Sequence, residues 1–273
     1  MSQKLPKYIV LHKKRGETPL EVITAWKALN PLYAQVPMSY AGRLDPMAEG
    51  RLLVLVGNEC KRQRWYTKFD KEYDVEMVFD LQTDTLDALG IPNYGARTTN
   101  VTEDTLQKAI TRVRGTHTVP YPAFSSKTVA GVPLFVYALE GTLSSITIPE
   151  HAETIHSVSV LSIDKVATPV LRERIEKALQ VIPHSTEPSK ELGANFRQEV
   201  IRPGWRTLLD HIGPREFTVV TLRVVCGSGS YMRTLTKRIA SQFGTEAFAL
   251  SITRTKIGKY HSFGPLRFWG RRF

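Results

Sequence analysis

The sequence predicts an α+β fold with a mixed, mostly antiparallel sheet flanked by helices and loops. Strand-like and helix-like segments follow one another without the strict alternation that builds a parallel sheet. Residues 71–81 alternate as a half-buried strand does, with Tyr73, Val75 and Phe79 on one face. Residues 106–113 instead repeat apolar side chains at helical spacing and end before a glycine.

The first elements are a short strand at 7–12 and a helix that follows a basic turn. Thr18 is placed to cap this helix, Pro19 suits its first position, and Glu21 completes a capping box. We expect the helix to end near Leu29, because an Asn-Pro pair follows and proline disfavours helical backbone before it.

The later elements are predicted from shorter patterns. Further strands are expected where apolar, β-rich runs occur, at 52–56, 155–163, 217–226 and near Ile257. Further helices are expected at 61–68, which is basic, and after the Gly-Ser-Gly-Ser turn at 227–230. The chain is long enough for one large domain or two small ones, and no internal repeat is present across 1–273.

The stretch at about 165–215 is predicted to be an insertion in this domain. It contains a helical piece, 170–181, and then a polar section, 183–195. The polar section has the composition of an exposed loop or a disordered insertion, since it offers few apolar side chains to bury.

The composition restricts the class of protein. Lys and Arg number 37 against 26 Asp and Glu, a formal charge of +11, which favours a polyanionic partner such as nucleic acid. On charge alone, a merely basic protein is an equally good interpretation. Cys60 and Cys226 lie far apart and outside any CxxC pair, so neither a zinc site nor a disulfide framework is indicated. With no apolar run of about 20 residues and no leader, we expect a cytoplasmic protein without a membrane span.

The loop at 39–50 carries the pattern that leads to a function. By itself Leu44-Asp45-Pro46 is most simply a turn, because an aspartate before proline favours one. The wider string at 42–50, Gly-Arg-Leu-Asp-Pro-x-Ala-x-Gly followed by an apolar strand, resembles the catalytic motif of pseudouridine synthases. The proline, alanine and glycine after the aspartate are similar to the TruB form of that motif.

Five further stretches resemble the TruB family in the same order along the chain. They are 9–21, 71–90, 121–141, 226–244 and 252–260. Together with the motif they cover most of the chain outside 165–215, so the sequence is identified as similar to this family. The resemblance implies a pseudouridine synthase fold and a single catalytic domain with no C-terminal PUA-type domain.

The resemblance also implies an activity. The family's enzymes are isomerases that convert the T-loop uridine of tRNA (position 55) to pseudouridine, with no metal and no other cofactor implied. Asp45 matches the catalytic aspartate, which acts as a nucleophile on a flipped-out uridine or assists the departure of the base. Arg233 would hold Asp45 ionised. Tyr73 matches the active-site tyrosine, which would stack on the uracil or take a proton through its phenolate.

Five more residues are predicted to bind the substrate. Tyr231 and Ile252 match family positions that contact or wall in the base, although each is equally typical of a core residue. Tyr40 stands where the family has a histidine linked to RNA docking and base extrusion, so we expect Tyr40 to stack instead. Arg43 is more typical of ribosomal-RNA pseudouridine synthases. Lys14 lies in the basic turn and is expected to contact phosphate.

The basic surface is expected to bind the phosphates of tRNA. The candidates are Lys13, Lys14, Arg15, the 61–68 helix, Lys127 and the basic, aromatic tail at 267–273. No protein partner is implied, and we expect a monomer. Two alternatives stay open at this point: an RNA-binding tRNA-folding chaperone, and a pseudouridine synthase that acts on another RNA such as rRNA.

Overall fold

Strands and helices follow one another in mixed order in this computed structural model, which describes residues 5–94, 98–181, 197–263 and 266–273. The strands are β1 (Tyr8–Lys13), β2 (Met38–Tyr40), β3 (Ala48–Val56), β4 (Asp70–Phe79), β5 (Leu81–Thr83), β6 (Pro92–Tyr94), β7 (Gly115–Pro120), β8 (Thr128–Val129), β9 (Val132–Pro133), β10 (Glu150–Ala167), β11 (Glu216–Cys226), β12 (Ala247–Phe263) and β13 (Leu266–Arg272). The helices are α1 (Pro19–Ala28), α2 (Gln63–Thr67), α3 (Glu103–Val113), α4 (Leu134–Leu139), α5 (Thr168–Gln180), α6 (Gln198–Ile212) and α7 (Met232–Ser241).

A nine-stranded sheet forms the centre of the molecule. Its order is β1-β3-β12-β4-β11-β10-β7, with β2 paired to β3 and β13 paired to β12. Neighbouring strands are antiparallel except β3 and β12, which pair in parallel where 48–50 meets 252–254. The predicted α+β class and the mostly antiparallel, mixed sheet are therefore confirmed.

Helices cover both faces of the sheet and create two cores. On one face, α3 and α7 pack on Tyr73, Val75 and Met77 of β4, as the alternation of 71–81 predicts. On the other face, α5 and α6 pack on Val78 and on Phe217 of β11. Because successive side chains of a strand point to opposite faces, β4 contributes to both cores.

Helix α1 forms as its local sequence predicts. The Thr18 hydroxyl accepts from the Glu21 amide at 3.2 Å, and the Glu21 carboxylate accepts from the Thr18 amide at 2.7 Å. Pro19 occupies the first helical position and the helix ends at Ala28. A reciprocal cap of this kind satisfies two amides that the first helical turn otherwise leaves free.

The stretch predicted as an insertion contributes to the second core. Helix α5 spans Thr168–Gln180, close to the helix expected at 170–181. Helix α6 was not expected, because Pro203 and Gly204 interrupt its pattern, yet it buries Ile201 and Trp205. The polar section at 183–195 lies outside the described residues.

The C-terminal part of the chain differs from its expected form. A short strand was predicted near Ile257, but β12 runs for 17 residues, from Ala247 to Phe263. The basic tail is the strand β13, which pairs with β12. Register shifts at Ala249/Ser251 and Arg254/Lys256 break the two-residue alternation of β12. The full length of the strand therefore could not be predicted from the alternation of its side chains. None of the described helices is long and apolar enough to span a membrane.

Candidate active site

Asp45 lies in the loop between β2 and β3, and the buried side chain of Lys13 donates hydrogen bonds to the backbone of this loop. Lys13, the last residue of β1, is fully buried, and its Nζ donates to the carbonyls of Ala48 at 2.7 Å and Asp45 at 3.2 Å. Burial lowers the pKa of Lys13 to about 8. The expectation that Lys13 contacts RNA phosphate is therefore wrong, because its ammonium points inward to loop carbonyls.

Arg233 is the partner of Asp45, as predicted from the sequence. It lies in the first turn of α7, where its side chain is only 3% exposed, and its Nε donates to Oδ2 of Asp45 at 2.8 Å. Its Nη atoms donate to the carbonyls of Thr85 at 2.8 Å and Phe124 at 3.2 Å. Burial by itself lowers the pKa of Arg233, but the carboxylates of Asp45 and Asp87 outweigh it and raise that pKa above its usual value.

Asp87 is a second carboxylate beside Arg233 that the sequence reasoning missed. Its Oδ2 lies 3.6 Å from the Arg233 Nε, and the side chain is almost completely buried. Its Oδ1 accepts from the Thr85 hydroxyl at 2.7 Å and the Leu89 amide at 3.0 Å. Burial raises the pKa of Asp87. The Thr-Asp-Thr-x-Asp loop at 83–87 was the available signal, and Asp87 is its last residue.

The carboxyl group of Asp45 stays accessible while its partners are buried. The Asp45 side chain is 32% exposed, against 3% for Arg233 and 6% for Asp87. The carboxyl group of Asp45 is therefore open to solvent, whereas the guanidinium of Arg233 is enclosed. The contact between Arg233 and Asp45 is a charge-assisted hydrogen bond to an accessible carboxyl group.

Tyr73 lies on β4 at the edge of the same site. Its phenol is 8% exposed, and burial raises its pKa to about 12. The positive charge of Arg254 opposes this rise. At pH 7 only about one Tyr73 in 10⁵ is a phenolate. Tyr73 is therefore a neutral phenol at pH 7.

Arg254 is a further buried cation that the sequence reasoning missed. It lies on β12 and is 1% exposed. Its guanidinium donates to the carbonyls of Arg51 at 2.7 Å, Gly42 at 3.2 Å and Arg43 at 3.4 Å. Arg254 thus fixes the backbone just before Asp45, and Lys13 fixes the backbone just after it. Nothing in the local pattern of β12 distinguishes Arg254 from an exposed arginine.

Tyr231 and Ile252 occupy different surroundings. Tyr231 is half-buried, and its ring lies edge-on to Tyr121 at 6.2 Å and His151 at 6.0 Å, which stack on each other at 4.1 Å. These rings form an aromatic wall next to α7. Ile252 is 3% exposed and packs in the first core opposite Val75.

The three remaining predicted residues differ in their burial. Tyr40 packs against the small core beneath α1, with Leu52 and Val54. Its role in stacking on a base stays a prediction. Arg43 and Lys14 have exposed side chains, consistent with contact to a polyanion, although no RNA is present to test it.

Comparison with known proteins decides the family. Residues 32–180, more than half of the chain, match the family model described as "TruB family pseudouridylate synthase (N terminal domain)". The chain belongs to the TruB family. The match includes Asp45, Tyr73 and Asp87, whereas Arg233 and Arg254 lie beyond it and are placed at the site by geometry.

Relatives within the TruB family carry the name tRNA pseudouridine synthase B. The protein of Caldicellulosiruptor saccharolyticus is 23% identical over 223 residues, which are 82% of this chain and 58% of the relative. That of Borreliella burgdorferi is 24% identical over 261 residues, 93% of this chain and 70% of the relative. This TruB-family chain thus spans only 58% of the length of the first of these relatives.

A solved structure shares the fold of this TruB-family chain. A chain of the crystal structure of a Cbf5-Nop10-Gar1 complex superposes with a TM-score of 0.53 and 17% sequence identity. The superposition covers 92% of this chain and 48% of that one. At this identity the likeness establishes the fold, which agrees with the pseudouridine synthase fold expected from the sequence.

Proposed function

We propose that this protein is a tRNA pseudouridine synthase that isomerises the T-loop uridine (position 55), with Asp45 as the nucleophile. The observation that carries the proposal is the 2.8 Å pair between Arg233 and the accessible Asp45. The family membership and the names of its relatives support it. Asp45 is the one group of the pair that a bound nucleotide reaches.

The reaction explains why one ionised carboxylate is sufficient. The bond from C1′ to N1 of the uridine breaks, and a bond from C1′ to C5 of the same uracil forms. N1 gains a proton and C5 loses one, so atoms and electrons balance within the nucleotide. Asp45 would attack the sugar or assist the departure of the base, which divides one difficult step into two easier ones.

The surrounding residues serve a base that has left its stack. A uridine within folded RNA must swing out before its sugar reaches Asp45. Tyr73 lies on β4 and Tyr231 directly precedes α7. The neutral phenol of Tyr73 and the half-buried ring of Tyr231 each offer an apolar surface to a base. We propose that both contact the uracil and that Ile252 supports them from the core.

The proposal is tested by measuring pseudouridine in tRNA transcripts with the carbodiimide reaction. We expect Asp45→Asn to lose at least about 1,000-fold in rate, a barrier increase of about 4 kcal/mol. Glu49→Gln is the matched control, because Glu49 is a carboxylate at the start of β3, four residues from Asp45, that lies near Arg15 instead of Arg233. Full activity of Asp45→Asn contradicts the mechanism.

The identity of the RNA is tested separately. The exposed Arg43 is the feature that favours ribosomal RNA as the alternative substrate. Mapping pseudouridines across total RNA of a deletion strain distinguishes the two, because only the true target loses its pseudouridine. Normal tRNA binding with no modified uridine in any RNA would instead favour a folding chaperone. We further propose that the protein acts in the cytoplasm and that it is a monomer. Its mass in solution tests the monomeric state.

A further inference from the structure

Four residues from distant parts of the chain form a cationic surface around an indole ring. Trp65 of α2 is 36% exposed. The Lys259 Nζ lies 5.5 Å from the centroid of that ring, and the Arg271 guanidinium carbon lies 5.7 Å from it. Lys68 is exposed one turn further along the chain and lines the same shallow depression as Trp65 and Lys259. We call Trp65, Lys68, Lys259 and Arg271 the Trp65 patch.

The Trp65 patch is held in place by aromatic packing beneath it. The buried ring of Phe273 stacks on Phe69 at 5.3 Å with an interplanar angle of 22°. Phe69 also meets Tyr66 edge-on at 5.5 Å, and the amide of Phe273 donates to the carbonyl of Ile257. Phe273 is therefore held close to α2, and Arg271, two residues before it, lies beside Trp65.

The charges of the Trp65 patch are not neutralised by the protein. In the part of the chain that the structure describes, no carboxylate lies within 4.0 Å of the cationic groups of Lys68, Lys259 or Arg271. Asp70 lines the depression, but its carboxylate is already engaged by His156 at 3.0 Å and by a backbone amide. A surface with unpaired cations around an aromatic face attracts a polyanion that carries rings.

The Trp65 patch lies close to the candidate active site. Asp70 and Tyr73 are three residues apart on β4, which is about 10 Å. The Ser228 hydroxyl donates to the carbonyl of Thr67 at 2.6 Å, so the turn that leads to Tyr231 rests on α2. Asp70 and Tyr73 point to opposite faces of β4, so the contact between Ser228 and Thr67 is what brings α2 beside the turn before Tyr231. An RNA with one nucleotide beside Tyr231 then has its neighbouring nucleotides on the side of the patch.

We propose that the Trp65 patch binds the phosphodiester backbone of the RNA substrate outside the target nucleotide, with Trp65 stacking on one base or ribose. The proposal rests on the proposed function for the identity of the RNA. RNA is favoured over an anionic membrane because the cations lie next to a single partly exposed aromatic ring, near a site proposed to act on a nucleotide. Phosphate contacts position an RNA without reading its sequence.

The experiment measures binding of a fluorescently labelled tRNA transcript to the full chain at several salt concentrations. The test variant is Lys68→Gln/Lys259→Gln/Arg271→Gln. The control variant is Lys108→Gln/Lys177→Gln/Arg206→Gln, which removes equal charge from residues that each face a carboxylate. We expect the test variant to reduce the slope of log K against log salt by about 2 to 3, and its affinity at 0.15 M salt by about 10- to 100-fold. The control variant stays within about threefold of the parent.

A second variant tests the ring. Trp65→Leu keeps an apolar residue above Phe69 and is expected to lose about fivefold or more in affinity, whereas Trp65→Phe retains most of it. Thermal melts of every variant show whether the fold is kept, and the salt slope of Lys259→Gln alone decides the proposal where the triple variant does not fold.

The outcomes separate this proposal from the proposed function. Parent-like affinity and salt slope in the folded triple variant overturn the patch, even if the parent makes pseudouridine. A loss of RNA affinity in the triple variant supports the patch, even if no pseudouridine forms and the proposed function falls. Binding to anionic lipid vesicles that the triple variant loses, with tRNA binding unchanged, assigns the surface to a membrane and also overturns the proposal.

Discussion

The Nε atom of Arg233 lies 2.8 Å from Oδ2 of Asp45, although 188 positions separate the two residues along the chain. The same guanidinium donates to the backbone carbonyls of Thr85 and Phe124, so two further loops set its position. Its geometry is therefore fixed before a substrate binds, which is the condition for a charged group to act without reorganisation.

Replacing Arg233 by lysine tests the forked geometry. Arg233→Lys keeps the charge, but one ammonium cannot reach Asp45 and two carbonyls in the directions that a guanidinium does. We expect single-turnover pseudouridine formation to slow by about 100-fold and the free energy of unfolding to fall by about 1–3 kcal/mol. Arg223→Lys is the control, since it alters a bidentate pair with Asp74 at the surface. Equal effects of the two substitutions would contradict the role of Arg233.

We expect the free energy of unfolding to depend on pH through the buried ammonium of Lys13. Burial lowers its pKa to about 8 in the folded state, against 10.5 in the unfolded state. Below pH 8 both states hold the proton; between pH 8 and 10.5 only the unfolded state holds it. The free energy of unfolding therefore rises with pH across this window, by up to about 3 kcal/mol from this group. Urea denaturation at pH 7 and 10 measures the rise, and Lys13→Met should lack this part of it.

Tyr73 predicts the form of the pH–rate profile. Because burial raises its pKa to about 12, a mechanism that needs the phenolate would speed up about tenfold per pH unit above pH 7. We expect no such slope in single-turnover rates between pH 7 and 9. Tyr231→Phe, measured in parallel, accounts for the neighbouring phenol. A slope of one in the parent that Tyr73→Phe abolishes would restore the phenolate mechanism.

Arg254 is predicted to affect both stability and rate. Arg254→Met leaves the carbonyls of Gly42, Arg43 and Arg51 without their donor in a buried place. We expect the free energy of unfolding to fall by about 3 kcal/mol, and kcat to fall more than KM changes, because the backbone before Asp45 loosens. Arg223→Met is the control, since Arg223 donates to Asp74 in a pair whose two side chains are both partly exposed. Unchanged kcat in a folded Arg254→Met protein would contradict this role.

Arg197 is predicted to position the loops around Arg233. It donates to both carboxylate oxygens of Asp84, at 2.6 and 3.1 Å, and lies 4.7 Å from the ring centroid of Phe124. Arg197→Gln should lower kcat by about tenfold with little change in the thermal midpoint, because the residue is partly exposed. Arg172→Gln, which breaks an exposed pair with Asp210, is the control. Loss of stability without loss of kcat would mean that Arg197 is only structural.

Local sequence determined the elements whose stabilising contacts lie within a few residues. The capping box of Thr18 and Glu21 predicted where α1 begins, and the alternation of 71–81 predicted the buried face of β4. The motif around Asp45 was recognisable because its residues are consecutive. Such features can be predicted from sequence because the hydrogen bonds within one turn and the side-chain directions within one strand depend on residues that are close in sequence.

Tertiary structure alone decided which charged residues serve the site. From the sequence, Lys13 was expected to belong to a basic surface turn, and nothing distinguished Arg254 from the other arginines. In the structure both side chains are buried and donate to backbone carbonyls around Asp45. Asp87 became a neighbour of Arg233, and Trp65 became a neighbour of Arg271, only through the packing of distant segments. Charge is a property of a residue type, but burial and partners depend on which strands pair, and that depends on the whole chain.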